Sequence, residues 1–216
     1  MTAEKPEYKS AIATRRGDDG TTGLLFGGER VFKDGIRTEA YGAIDEAIAA
    51  LGMARAEAGF SAQDGTLPRT IAALPDLILR LQRELFVVGA ELATAPEAIG
   101  RQKPGETRVT AEMVAGLDSL LAETEASVEM PREFVVPGET RLSAALELAR
   151  TITRRAERRA VSIRRAEPVA DDQLVPYLNR LADLLWILAR AAEQGESRTA
   201  TPARTAPPRP GRSETT

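Results

Sequence analysis

Between Thr14 and Gly23 the chain reads Thr-Arg-Arg-Gly-Asp-Asp-Gly-Thr-Thr-Gly. Glycines let backbone N–H groups turn toward a ligand with no side chain in the way. Threonine hydroxyls and arginine forks add donors suited to phosphate oxygens. The chemistry this stretch could do is to hold an anion such as a polyphosphate. Its spacing matches neither the Walker loop nor the dinucleotide fingerprint. Taken alone, the stretch is equally compatible with a solvated N-terminal loop.

A second concentration of chemistry lies in Ala149-Arg-Thr-Ile-Thr-Arg-Arg-Ala-Glu-Arg-Arg159. On a helix, Arg150, Arg154 and Arg158 share one face, and Arg155 and Arg159 form a neighbouring row. Like charges at this spacing repel by about 0.2–0.5 kcal/mol per pair, and only Glu147 and Glu157 on the same helix offset them. The row is either a solvated basic face or a set of donors awaiting carboxylates or a polyanion. Nucleic acid is disfavoured as that polyanion, because no base-stacking aromatics surround the stripe. Two further polar positions stand among apolar neighbours. Asn179 lies in Tyr177-Leu-Asn-Arg-Leu-Ala-Asp183 and Asp45 in Tyr41-Gly-Ala-Ile-Asp-Glu46. Either a ligand contact or an ordinary tie between helices would explain each.

Composition narrows the chemistry. The 216 residues contain no cysteine and no histidine. Disulfides, thiolate metal sites and histidine general bases are excluded, as is an imidazole ligand to cobalt or haem iron. A formal charge of −3 gives no global attraction to nucleic acid or anionic membranes. No apolar run reaches membrane-spanning length, and the start has no signal-peptide pattern. The expectation is a cytoplasmic protein with no membrane and no nucleic-acid partner.

The elements that must position these residues are helical. Hydrophobic residues make up 43% of the chain and aromatics only 4%, which favours helices packed through small aliphatic contacts. Apolar periodicity predicts helices over 37–58, 69–94, 110–128, 142–166 and from 171 or 175 to 194. Gly59 is read as the stop of the first, and Pro75 as lying in the first turns of the second or kinking it. Residues 24–35 read as irregular backbone, and Phe134-Val-Val-Pro-Gly138 as a loop wall rather than a strand. The expected fold class is all-α, an antiparallel five-helix bundle with an irregular N-terminal loop. The expected organisation is a flexible arm over 1–12, one domain over 13–194 and a disordered tail over 195–216.

Three blocks together resemble the PduO-type ATP:cob(I)alamin adenosyltransferases. They are Thr14–Thr22 continuing through Lys33-Asp34 and Arg37–Glu46, then Phe134–Gly138 continuing through Ser143 to Arg158, and finally Tyr177–Asp183. In register they span roughly residues 12 to 192. The resemblance implies a ferritin-like bundle forming homotrimers with active sites at subunit interfaces. ATP would lie between the N-terminal loop of one subunit and the arginine helix of its neighbour. By position, Thr14, Arg15, Arg16, Gly17, Thr22, Gly23 and Lys33 would contact ATP, as would Arg154, Arg155, Glu157, Arg158 and Asn179. Asp45 would pair with Arg150 across the interface. Phe134 matches the aromatic beneath the corrin that excludes the lower axial ligand of cobalamin and eases reduction of cobalt(II). Arg154, Asp45, Arg150 and Phe134 are thus the residues the resemblance assigns to the chemistry.

The reaction so implied moves the 5′-deoxyadenosyl group of ATP to cob(I)alamin or a cob(I)yrinate precursor, with Mg2+ held mainly by ATP. Partners would be an electron-donating reductase and an adenosylcobalamin-dependent acceptor enzyme. A delivery protein that binds adenosylcobalamin without catalysis is the alternative, and a helical adaptor binding acidic proteins through its arginine face is a third reading. The sequence departs from the family at Glu139, where a second glycine is usual, and at Asp19, where lysine is frequent. Ala182 and Trp186 replace a common serine and phenylalanine.

Overall fold

The computed structural model describes residues 12–167, 169 and 172–204. Five α-helices carry the fold: α1 (Ile36–Gln63), α2 (Leu74–Leu92), α3 (Ala111–Glu125), α4 (Arg141–Ala166) and α5 (Leu174–Gly195). Four two-residue strands complete it: β1 (Thr21–Thr22) pairs antiparallel with β2 (Val31–Phe32), and β3 (Val135–Val136) with β4 (Thr201–Pro202).

Side-chain bonds give the helix directions. Glu39, Glu46 and Glu57 of α1 meet Arg159, Arg155 and Arg141 of α4 in reverse order, so the two run antiparallel. Arg164, Asn179 and Arg190 fix the same relation between α4 and α5, through Asp172, Glu157 and Glu147. Consecutive helices alternate in direction. The α3 and α5 neighbours therefore run parallel, as the Asp118–Arg180 and Glu129–Gln194 bonds show.

Apolar pattern explains who sits where. Leu178, Leu181, Leu184, Leu185 and Leu188 bury α5 nearly all round, so it takes the centre. Ala40, Ala43, Ala47, Ala50 and Ala54 of α1 face Ala145, Ala149, Ala156 and Ala160 of α4 in the core. Small side chains allow these two helices to approach closely, which turns the arginines of α4 outward. Tyr177, fully buried, donates its hydroxyl to Glu84 at 2.8 Å, tying α5 to α2.

Several boundaries differ from expectation for identifiable reasons. Helix α1 runs through Gly59 and ends before Gly65, whose φ of +71° makes it the real stop. Gly59 has no such conformation and costs the helix only about 1 kcal/mol. The expected start of α2 at Arg69 is instead an isolated 3-10 turn, Arg69–Ile71, because Pro75 cannot sit inside a continuous helix. Helix α4 opens on a capping box between Thr140 and Ser143. Phe134–Gly138 is not only a loop wall, since Val135 and Val136 pair with β4. Residues 196–204 therefore fold back instead of leaving the domain. Residues 24–35 are less irregular than expected, because β2 closes on β1. The expected N-terminal arm, up to residue 11, and the tail from residue 205 lie outside the described residues.

Candidate functional site: a glycine-rich loop and a divided arginine helix

The N-terminal loop is held in shape by its own donors. Lys33 Nζ donates to the Gly17 carbonyl at 2.7 Å. A Cβ at residue 17 would lie 2.8 Å from that Nζ and 3.1 Å from the Thr21 carbonyl, so any larger residue there would displace the lysine and crowd the turn. Arg30, which the sequence reading did not select, donates to the Arg16 carbonyl at 2.6 Å and to the Thr21 hydroxyl at 2.7 Å. Asp19 accepts from the Thr21 N–H and hydroxyl, which hold its carboxyl below the usual range. The aspartate in place of lysine thus closes the turn. Arg15 adopts a left-handed φ of +58°, a conformation that costs a non-glycine residue about 1–2 kcal/mol. Thr14 and Arg16 are exposed, Thr22 is half-buried, and Gly23 has open space where a Cβ would stand.

Helix α4 divides its arginines. Arg155 and Arg159 pair with Glu46 and Glu39 of α1, the latter at 3.3 Å. Arg154 and Arg158 are exposed, and their guanidinium groups make no hydrogen bond or ion pair with any described residue. They line a shallow depression of about 340 Å3 together with Glu157, Val161, Ser162 and Arg165. Glu157 is anchored from α5 by Asn179 Nδ2 at 3.2 Å. The structure therefore joins Arg154, Glu157, Arg158 and Asn179 into one surface. Arg165, seven residues beyond Arg158 and also unpaired, extends it. Helical spacing alone would have flagged Arg165, had the stripe been followed past Arg159.

Asp45 and Arg150 are not partners within the chain. Glu46 already faces Arg155 on the antiparallel α4, so Asp45 lies about 9 Å along the helix axis from the level of Arg150. Asp45 is exposed and has no partner among the described residues. Arg150 bonds through Nε to Glu147 at 2.6 Å.

Phe134 is 87% exposed at the rim of a cavity of about 490 Å3, walled by Pro131, Pro137, Glu147, Arg150 and Trp186. Its loop is fixed from the far end of the chain: the Ala203 N–H donates to the Phe134 carbonyl at 2.7 Å. Glu139 accepts the Thr201 hydroxyl. The departure at Glu139 thus has its partner in β4. Behind the cavity, Arg190 lies 5.6 Å from the Trp186 ring centroid, so that tryptophan does more than fill space. Burial pushes the Glu193 carboxyl up, with Arg190 opposing.

An exposed aromatic is suited to a flat hydrophobic ligand, and unpaired guanidinium groups and a polar glycine loop are each suited to a polyanion. The described residues include no cluster of His, Cys, Asp or Glu able to bind a metal ion. A family model described as cobalamin adenosyltransferase matches residues 12–192. The corrinoid adenosyltransferase of Citrobacter freundii is 40% identical over 182 residues, 84% of this chain and 94% of that protein. The cobalamin adenosyltransferase of Cupriavidus metallidurans is 39% identical over 181 residues, 84% and 87% of the two chains. A variant PduO-type ATP:corrinoid adenosyltransferase from Lactobacillus reuteri, solved with cobalamin and ATP, superposes with a TM-score of 0.77. It is 28% identical, over 90% of this chain and 99% of that one.

Proposed function

The chain belongs to the cobalamin adenosyltransferase family, and from that premise we propose how its residues serve the reaction. It is a corrinoid adenosyltransferase: it transfers the 5′-deoxyadenosyl group of ATP to cob(I)alamin, giving adenosylcobalamin and triphosphate. The cobalt(I) electron pair forms the Co–C5′ bond, and the C5′–O bond pair leaves with the triphosphate. Cobalt(I) needs no general base, in keeping with a chain that has neither histidine nor cysteine. The protein's work is to place the 5′-carbon in line with cobalt and to stabilise the leaving charge.

The observation that carries the residue assignment is the division of α4. Arg154 and Arg158 are left without carboxylates beside two arginines that have them. Phosphate oxygens would complete them through charge-assisted bonds. Thr14, Arg15, Arg16, Gly17, Thr22, Gly23 and Lys33 supply the facing donors from a neighbouring subunit. Arg155 reaches ATP by exchanging Glu46 for phosphate. Asp45 meets Arg150 across the interface of a homotrimer. That assembly is supported by their separation within the chain and by the exposed Leu148 and Val161 on α4. Phe134 lies beneath the corrin. With no carboxylate cluster for a metal among the described residues, Mg2+ would be held mainly by ATP itself and would contribute charge neutralisation. The enzyme acts in the cytoplasm with a reductase that supplies cobalt(I), and passes its product to an adenosylcobalamin-dependent enzyme.

The deciding assay mixes the protein with Mg-ATP and chemically reduced cobalamin and follows the visible spectrum. Adenosylcobalamin and triphosphate should appear in equal amounts. Binding of both substrates with no product would leave a carrier, and no ATP binding at all would leave an adaptor.

A further inference from the structure

A charged group lies sealed inside the bundle behind the Phe134 cavity, and the reaction as described does not use it. Arg190 of α5 is 1% exposed and Glu193, one turn on, equally so. Arg190 Nε and Nη2 face the two Glu193 oxygens at 2.8 Å each. The same Nη2 reaches Glu147 Oε1 of α4 at 3.3 Å. The other Glu147 oxygen takes the Arg150 Nε–H at 2.6 Å. Trp186 covers the Arg190 guanidinium. Two carboxylates and two guanidinium groups thus form a neutral chain from the core to the half-buried Arg150.

Replacing a buried ion pair by hydrophobic residues is often neutral or stabilising, so stability does not account for this one. What the chain does provide is direction. Glu147, 4% exposed at its side chain, can rotate little, because Arg190 occupies one oxygen from behind. It engages only the Nε edge of Arg150, and both Nη groups remain without a partner among the described residues. Those Nη groups form the fork that binds a carboxylate end-on.

We infer that Glu147, clamped by Arg190, is a positioning residue that presets the Arg150 guanidinium for Asp45 of a neighbouring subunit. It thereby sets the interface wall beside Phe134. The inference rests on the interface reading of Asp45 given above.

The test is a double-mutant cycle in the full chain between Glu147→Gln and Asp45→Asn. Corrinoid and ATP kinetics are read separately, and corrinoid affinity is read from quenching of Trp186, the chain's only tryptophan. Glu147→Gln keeps size and an acceptor but removes the charge. It should lower kcat/KM for the corrinoid about tenfold, the worth of one charge-assisted hydrogen bond, and leave KM for ATP unchanged. Combined with Asp45→Asn it should cost little more than the worse single change. Additive losses, or an equal rise in both KM values, would overturn the inference. Asp45→Asn without effect would remove the interface reading itself, and the inference with it. Should Glu147→Gln fail to fold, Arg190→Lys keeps the charge but loses the fork. It should reproduce a smaller, corrinoid-specific loss, and an unchanged corrinoid kcat/KM in that variant counts against the inference.

Discussion

Arg190 and Arg154 stand on neighbouring helices of one bundle, and their surroundings are opposite. Arg190 is sealed in the core, met by two carboxylates and an indole ring. Arg154 stands in solvent with no hydrogen bond or ion pair to any described residue. The fold buries the first guanidinium against carboxylates, although its Nη1 has no hydrogen-bond partner among the described residues, and it leaves the second facing solvent. The same contrast recurs within α4, where Arg155 and Arg159 have glutamates from α1 and Arg154 and Arg158 do not.

The largest test of that contrast is Arg154→Ala. Losing charge-assisted bonds of about 1.5–3 kcal/mol each should lower kcat/KM for ATP by roughly one to two orders of magnitude while Tm holds. An equal loss in Tm and catalysis would erase the distinction between free and committed arginines. Next comes Asp45→Ala, which leaves Arg150 short of a carboxylate at the interface. Activity should fall together with a shift to smaller species in sedimentation; intact assembly with full activity would break the interface assignment. Phe134→Ala should impair the corrinoid half alone. The side chain is 87% exposed, so stability should move by no more than about 0.5 kcal/mol with ATP affinity unchanged.

Arg159→Ala sharpens the comparison from the other side. Its pair with Glu39 is exposed, so denaturant titration should show a loss of about 0.2–1 kcal/mol with the kinetics of wild type. The smallest effect concerns pH. Burial raises the Glu91 carboxyl above its ordinary value, partly opposed by the Val109 N–H and Arg164. The folded state therefore binds this proton more readily than the unfolded chain, and stability gained from Glu91 grows as pH falls toward the raised value. Melting from pH 7 to pH 5 should show wild type gaining on Glu91→Gln. A gap that moves the other way rejects the burial assignment.

Much of this was legible in the sequence because it depends on periodicity. The five helices follow from apolar spacing, and the arginine face of α4 from residues four apart. The glycine loop was legible as chemistry, but not its internal closure: Arg30 looked like one more surface charge until β1 and β2 brought it over Thr21. Which arginines are free was also beyond the sequence, because Glu39 and Glu46 lie more than a hundred positions from their partners. The β3–β4 pair escaped for a similar reason, each strand being two residues long and carrying no alternation. Glu139 looked like a simple departure until Thr201 supplied its partner.

The β3–β4 pair also bears on how the polypeptide is made. Phe134 emerges from the ribosome well before α4 and α5, yet the hydrogen bonds that fix its loop come from residues 201–203. The loop beside the cavity is therefore among the last parts of the domain to acquire its final form during synthesis. A nascent chain can bring its helices together before it can present a finished Phe134 loop.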